Sequence, residues 1–353
     1  MTTVGDLQTP VPVLDMAVVE ANLRKMQAYC DSHGLRLRPH VKTHKSPDMA
    51  LRQLELGACG LTCQKLGEAE VMADAGVRDI LISYPVLGVG KAERLARLAE
   101  RVKLTVQVES EQGCEALALA AKLSGKEIGA LIDFDSGGNR TGVTTVEEAL
   151  RLAQWMANRD GVRFDGLMTY PLTAESQRFF LAAKQAFDNA SITIGTFSGA
   201  ATPVAWNCHE FAGLTEVRHG TYIYHDRSTV GDGAATLDEC ALHMVTTVIS
   251  RPTFNRAILD AGSKSLSSDR VPETTGPGYG LIREYPEAVI VRLYEEHAIV
   301  QVPDGMQGLE IGERVRVLPN HVCPVCNLHD EIAIADGEHV QGVLKVKARG
   351  MTC

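Results

Sequence analysis

The sequence predicts an α/β protein in which a (β/α)8 TIM-like barrel is followed by a smaller all-β domain. Between residues 18 and 220, eight short β-like runs alternate with helical patterns, at the intervals of roughly 20 to 30 residues typical of βα units. From about residue 240 the runs are β-rich, with few helical stretches. We therefore expect a barrel over residues 18–235 and a β domain over residues 240–353, which an N-terminal strand at residues 8–17 joins.

Each barrel strand is an apolar run of β-branched and aromatic residues. The eight runs lie at residues 35–43, 59–64, 79–85, 103–110, 128–136, 164–171, 192–199 and 214–220. Between them, apolar residues at helical spacing, such as Val19, Leu23, Met26 and Cys30, predict amphipathic helices. A doubly wound sheet is the alternative, but eight units in so short a segment favour a closed ring.

Composition narrows the class of protein. A net charge of −9 gives no general attraction to nucleic acid or anionic lipid, and no apolar run is long enough to span a membrane. The start, MTTVGDLQTPVPVLD, lacks the basic and apolar regions of a signal peptide. Nine scattered cysteines do not form a disulfide framework. We therefore expect a cytoplasmic protein with a small-molecule partner, and neither a nucleic acid nor a membrane partner.

The stretch RPHVKTHKS (38–46) carries Arg38, His40 and Lys42 at alternate positions. Alternate side chains share one face of a strand, so we expect these three to point into the barrel lumen. In a partly desolvated, cation-rich setting a lysine has a lowered pKa and can act as a nucleophile or base. The alternative is an exposed edge strand with a solvated basic face.

Glycine-rich turns follow the later barrel strands. SGAATP (198–203) and RHGTYIY (218–224) follow strands seven and eight, where barrels often bind a phosphate through backbone N–H groups. DFDSGGNRTGV (133–143) contains Arg140, which suits either an anionic ligand oxygen or a structural salt bridge. Ordinary tight turns are the alternative for the first two loops.

In the β domain, HVCPVCNLHD (321–330) offers a candidate metal pair. On an extended segment His321 and Cys323 share one face and form a two-ligand corner for zinc, with positions left open for substrate and water. Cys323 and Cys326 also have the Cys-x-x-Cys spacing of zinc ribbons and redox motifs, but no second such pair occurs. The spacing leaves these interpretations open.

In combination these motifs resemble those of the D-threonine aldolase and D-serine dehydratase family, which uses pyridoxal 5′-phosphate (PLP) and has an alanine racemase-like fold. RPHVKTHK, LTCQKLGEAEVMADAGV, FDSGGNRTGV, DAGSKSLSSD and PNHVCPVCNLHDE fall in the family's order, and the resemblance covers about residues 8–350. It implies that PLP is bound covalently by Lys42, with His40 as its companion. The other implied PLP contacts are Arg140 at the phenolic oxygen, Tyr170 near the pyridine ring, and a phosphate cup formed by Gly199, Ala200, Ala201, Thr202, Gly220 and Tyr222.

The resemblance also implies a divalent metal held by His321 and Cys323. Zinc is the first choice, with manganese or magnesium as alternatives, and Cys326 and His329 become bystanders. The family usually forms homodimers.

The activity implied is a lyase reaction on 3-hydroxy-D-amino acids. Elimination, as in D-serine dehydratase, gives a 2-oxo acid and ammonia, whereas retro-aldol cleavage, as in D-threonine aldolase, gives glycine and an aldehyde. The His-x-Cys pair, where a type of aldolase has His-x-Asp, favours elimination, as does YPLTAESQ (170–177) in place of a Gly-His run. An amino-acid racemase and a non-catalytic PLP-binding protein are further alternatives; a racemase needs a second base, for which Tyr279 is the candidate.

Overall fold

The computed structural model describes residues 2–353 and divides into two compact units. We call the first the barrel unit; it comprises Gln27–Lys42, Met49–Gly220 and Met351–Cys353. The second, the sheet unit, comprises the chain up to Met26 together with Thr43–Asp48 and Thr221–Gly350.

The strands and helices follow one another along the chain. The strands are β1 (Val11–Asp15), β2 (Arg36–Leu37), β3 (Leu61–Cys63), β4 (Asp79–Ile82), β5 (Lys103–Val108), β6 (Ile128–Asp133), β7 (Val162–Thr169), β8 (Thr196–Gly199), β9 (Glu216–Val217), β10 (Leu242–Thr253), β11 (Arg256–Leu259), β12 (Leu281–Ile282), β13 (Val289–Leu293), β14 (Ala298–Gln301), β15 (Arg314–Leu318), β16 (Glu331–Asp336) and β17 (His339–Lys345). The helices are α1 (Met16–Ser32), α2 (Pro47–Glu55), α3 (Leu66–Asp74), α4 (Val89–Ala99), α5 (Glu111–Ser124), α6 (Val146–Ala157), α7 (Ala174–Asn189), α8 (Arg227–Gly231), α9 (Ser263–Leu266) and α10 (Val322–Leu328).

Eight parallel strands form the barrel unit, in the order β2-β9-β8-β7-β6-β5-β4-β3. Backbone hydrogen bonds close the ring between β2 and β3: Val41 N donates to Thr62 O, and Thr62 N donates to Pro39 O, both at 2.9 Å. Seven of the eight strands lie within the runs that the sequence predicted, β7 begins two residues before its run, and the (β/α)8 prediction is confirmed.

Local chemistry explains the barrel elements. Every residue of β6 is buried, as expected for a parallel strand covered on both faces. Ser110 caps the start of α5, where its hydroxyl accepts a hydrogen bond from Gly113 N, and Gly125 caps the end with a left-handed φ of 64°. After β8 the chain forms two 3-10 helices, Thr202–Val204 and Cys208–Glu210, where a full helix was expected. Pro203 and the lack of an apolar helical period in that segment account for this difference.

The strand predicted at residues 35–43 is regular only over β2. Pro39 has no N–H to donate to a neighbouring strand, and residues 41–44 form a turn. Lys42 therefore lies in a turn beyond the strand, and the strict alternation predicted for Arg38, His40 and Lys42 is wrong.

In the sheet unit, nine strands form one sheet in the order β11-β14-β13-β12-β15-β10-β1-β16-β17, and β11 also pairs with β10. β1 runs parallel to β16, and the other pairings are antiparallel. The prediction of a second, β-rich part is confirmed. No helix in residues 2–353 is both long and apolar enough to cross a membrane.

Candidate active site

Lys42 is partly exposed and is anchored through its backbone to His40. The Lys42 N–H donates to His40 Nδ1 at 3.3 Å, which places the proton of a neutral imidazole on Nε2. Nε2 lies 3.0 Å from Gln64 Oε1 and 3.2 Å from Ser83 Oγ, at the ends of β3 and β4. His40 thus ties the Lys42 turn to the two neighbouring strands.

The loops after β8 and β9 present unpaired backbone donors. Within residues 2–353, the N–H groups of Ala200, Ala201, Thr202 and Gly220 donate to no protein acceptor. The two loops are neighbours because Arg218 N donates to Gly199 O at 3.0 Å and β8 pairs with β9. A side chain added at Gly199 would approach Leu172 to 2.5 Å, so the backbone there requires glycine.

The remaining residues of the predicted cofactor site belong to different units. In the barrel unit, the Arg140 guanidinium lies over the Tyr170 ring, 5.0 Å from its centroid, and both side chains are exposed. Tyr222 is buried in the 3-10 helix Thr221–Ile223 of the sheet unit, which begins directly after Gly220 in the chain.

Two buried charged groups were given no role by the sequence analysis. Arg218 donates from Nε to Ser198 Oγ at 2.9 Å and from Nη2 to Thr169 O at 2.6 Å, and burial lowers its pKa. Asp133 accepts from Gln107 and Thr141, and burial raises the pKa of its carboxyl to about 7. In the sequence, Arg218 and Asp133 are each a charged residue at the end of an otherwise apolar run, and this pattern could have identified them.

Arg38 does not belong with Lys42, which corrects the prediction of one cationic face. Its Nε donates to Glu216 Oε2 at 2.9 Å and its Nη1 to Asp79 Oδ1 at 2.5 Å. Asp79 and Glu216 are the first residues of β4 and β9, so Arg38 lies at the amino-terminal end of the barrel. Asp79 and Glu216 neutralise the charge of Arg38, so no bound ligand is needed to balance it.

In the sheet unit, His321 and Cys323 lie side by side at the start of α10. His321 is the residue that caps α10, and Cys323 is in its first turn, so the predicted extended segment is in fact a helix start. The Cys323 thiol is close enough to raise the pKa of the His321 imidazole. His321 Nδ1 lies 2.8 Å from Asp269 Oδ2, and Cys323 Sγ lies 3.2 Å from the hydroxyl of Thr43, the residue that follows Lys42 in the chain.

The surroundings of His321 favour positive charge. Burial alone would lower the pKa of its imidazole, but Cys323 and then Asp269 outweigh burial and raise the pKa to about 9. Cys326 is fully buried, and burial raises its pKa, whereas His329 Nε2 bonds to Ser265 O at 3.1 Å. No cluster of three or more His, Cys, Asp or Glu side chains suited to a metal occurs in the described chain, so any ion at the pair needs ligands from substrate or water.

Comparison with known proteins decides the family. Residues 14–228 match the family model of the alanine racemase N-terminal domain, and residues 241–335 match a putative serine dehydratase domain. A D-threonine aldolase from Arthrobacter sp. is 34% identical over 98% of this chain and 94% of its own length. The chain belongs to the D-threonine aldolase and D-serine dehydratase family.

Other members of the family extend this similarity. A D-threo-3-hydroxyaspartate dehydratase from Delftia sp. is 31% identical over 91% of this chain and 92% of that protein. The crystal structure of D-threonine aldolase from Filomicrobium marinum has a TM-score of 0.90 at 30% identity, covering 100% of this chain and 98% of the other. A cysteine-to-alanine variant of D-threo-3-hydroxyaspartate dehydratase, solved in a metal-free form, has a TM-score of 0.86 at 28% identity over 98% and 99% of the two chains.

The groups used by this family fit the residues present. Buried backbone N–H groups are rarely left without an acceptor, and those of Ala200 and Ala201 are buried, so a phosphate here would supply one. An imidazole and a thiol are favoured ligands of divalent zinc.

Proposed function

We propose that this protein is a PLP- and divalent-metal-dependent lyase of 3-hydroxy-D-amino acids, and that it favours elimination to a 2-oxo acid and ammonia. The observation that carries the proposal is the placement of His321 and Cys323 together at the start of α10, since neither racemisation nor simple PLP binding requires a metal pair. The family relationship supports the same class of reaction.

In this proposal the barrel unit holds PLP. Lys42 would hold PLP covalently through Nζ, the unpaired N–H groups of the β8 and β9 loops would bind the phosphate, and Arg140 and Tyr170 would contact the ring. When bound, PLP supplies an electron sink for negative charge at the substrate α-carbon. His40 acts as a positioning residue, because its Nδ1 is occupied by the Lys42 N–H. Lys42 Nζ would also accept the α-proton of the substrate.

His321 and Cys323 hold the metal, which we assign as zinc, with manganese or magnesium as alternatives. Zinc favours the nitrogen and sulfur donors of the pair. When bound, the ion supplies Lewis acidity at the β-hydroxyl. The Thr43 hydroxyl, 3.2 Å from Cys323 Sγ, can donate to the thiolate and stabilise its charge.

Elimination needs a base at the α-carbon, whereas aldol cleavage needs one at the β-hydroxyl. Lys42 provides the first. The loop after Tyr170 contains no histidine for the second, and the Thr173 and Ser176 side chains there are used to cap α7. D-threonine aldolase-type cleavage remains the alternative, because the Arthrobacter aldolase is similar over nearly the whole chain.

The deciding experiment incubates the PLP- and zinc-loaded enzyme with D-serine, D-threonine and the 3-hydroxy-D-aspartates. Release of ammonia and a 2-oxo acid supports elimination; glycine and an aldehyde would establish aldol cleavage instead. Loss of optical activity without bond cleavage would indicate a racemase. Turnover of no substrate, with PLP bound, would favour the non-catalytic alternative.

We further propose a cytoplasmic homodimer. All nine cysteines are free, which suits a reducing compartment. On the sheet unit Phe254 and Ile311 are 72% and 67% exposed, and large exposed apolar side chains suit an interface between subunits. Sedimentation analysis of the wild type and Phe254→Ser tests the dimer, which the substitution should weaken; a monomeric wild type would contradict it.

A further inference from the structure

We propose that Asp269 is a positioning residue that fixes the imidazole of His321 for metal binding. The inference rests on the proposed metal role of His321. It concerns the segment GSKSLSSD (262–269), which the sequence analysis left without a function.

The hydrogen bond defines the state of the imidazole. A carboxylate can only accept, so at 2.8 Å the His321 Nδ1–H donates to Asp269 Oδ2. Once the ring has given up its second proton, Nε2 carries the lone pair through which a histidine binds a metal. Without the carboxylate, the ring is free to exchange tautomers and to rotate about its side-chain bonds.

A buried asparagine fixes the backbone of Asp269 beside that of His321. Asn320 immediately precedes His321 and is 2% exposed. Its Nδ2 donates to Asp269 O and to Gly278 O, each at 3.0 Å, and its Oδ1 accepts from Arg227 Nη1 at 3.2 Å. Asn320, next to His321 in the chain, is thus hydrogen-bonded to the backbone of Asp269.

The hydrogen bonds of Asn320 distinguish the Asp269–His321 pair from an ordinary surface ion pair. The Asp269 and His321 side chains are 50% and 43% exposed, and ion pairs of that exposure contribute little to stability. Their value lies in orientation: carboxylate partners of metal-binding histidines raise metal affinity by about 10- to 100-fold. We therefore expect removal of Asp269 to affect zinc affinity far more than folding.

The experiment measures zinc affinity on the PLP-loaded enzyme by competition with a chromophoric chelator. Asp269→Asn should weaken zinc binding about 10- to 100-fold, and Asp269→Glu should recover part of the loss because it restores the acceptor. Glu273→Gln removes an exposed carboxylate four residues after Asp269 and should bind zinc like the wild type. PLP absorbance and the melting temperature of the metal-free enzyme should remain unchanged in all three variants.

Two outcomes separate this inference from the proposed function. If the wild type binds zinc and Asp269→Asn binds it equally well, the role of Asp269 is refuted and the proposed metal site stands. If the wild type binds no divalent metal, the metal role of His321 is refuted, and the inference about Asp269 with it. A lowered melting temperature of metal-free Asp269→Asn, with unchanged zinc affinity, would assign Asp269 a structural role.

Discussion

Lys42 gains its proposed role from the residues that hold it. Its own side chain is partly exposed, but its backbone N–H is bonded to His40, which in turn reaches Gln64 and Ser83. A lysine on a free loop would sample many orientations. Here the three contacts define where the chain leaves the barrel strand.

Substitution of Lys42 tests the cofactor linkage. Lys42→Ala should abolish the visible absorbance of covalently bound PLP and lower kcat by at least about 100-fold, because it removes both the anchoring amine and the base. Lys45→Ala is the control: Lys45 is buried and its Nζ reaches Ala348 O at 3.4 Å, so its loss should leave the absorbance intact. Unchanged absorbance in Lys42→Ala would exclude Lys42 as the anchor.

The lowered pKa of His243 predicts that the stability of the protein depends on pH. Burial, followed by Arg283 and Arg316, lowers its pKa from 6.5 to about 4, and its Nε2 has no hydrogen-bond partner in residues 2–353. Below pH 6.5 the unfolded chain therefore binds a proton that the folded chain does not. This contribution to stability is fully present above pH 6.5 and is lost progressively as the pH falls towards 4.

His243→Gln should remove that dependence. In urea unfolding between pH 7 and pH 4, the wild-type free energy of unfolding should fall more steeply than that of the variant, by up to about 1.4 kcal/mol per pH unit. An equal slope for both proteins would show that His243 does not titrate in this range.

Among the secondary-structure elements, the amino-terminal ends of the barrel strands are held together by ion pairs. Arg38 follows β2 and reaches β4 and β9 through Asp79 and Glu216, and it is 7% exposed. Arg36, in β2, is 3.8 Å from the same Glu216, but its side chain is 47% exposed. The two arginines thus differ mainly in burial.

Their substitution should separate stability from catalysis. Arg38→Ala should lower the free energy of unfolding by about 3–5 kcal/mol, because it removes the nearest cation from Glu216, whose side chain is only 3% exposed. Arg36→Ala should cost less than about 1 kcal/mol. Calorimetry and denaturant unfolding measure both. The folded fraction of Arg38→Ala should retain bound PLP. Loss of PLP from well-folded protein would show that Arg38 takes part in PLP binding.

The start of α10 shows where local patterns are insufficient. The His-x-Cys spacing predicted a pair on one face of a strand, but the two residues lie at a helix start, and their metal role stays a prediction. Asp226, far away in sequence, accepts from Val322 N at 2.9 Å and stabilises that start. Such a partner cannot be identified from the spacing of residues 321–330.

For the molecule as a whole, the chain passes from one unit to the other between Lys42 and Thr43. Thr43 then touches Cys323 within the sheet unit. One turn of the chain therefore carries both the proposed PLP anchor and a contact of the proposed metal pair.

Removal of the metal should separate activity from cofactor binding. Chelation, or Cys323→Ala, should abolish lyase activity and leave the PLP absorbance unchanged, because only the β-hydroxyl chemistry needs the ion. Zinc should restore the chelated wild type but not Cys323→Ala. Cys326→Ala, which removes a fully buried thiol outside the proposed pair, should keep its activity. Full activity after complete removal of metal would contradict the proposal.

The sequence by itself determined the eight barrel strands, the β-rich second part, and the family, because apolar periodicity and spaced motifs are local properties of the chain. The tertiary structure decided which charged side chains are paired and with which partners. It pairs Arg38 with Glu216 and Asp79, buries Arg218 and Asp133, and sets Asp269 against His321. These partners are separated by tens to hundreds of residues, and only the closing of the barrel and the nine-stranded sheet brings them within hydrogen-bond distance.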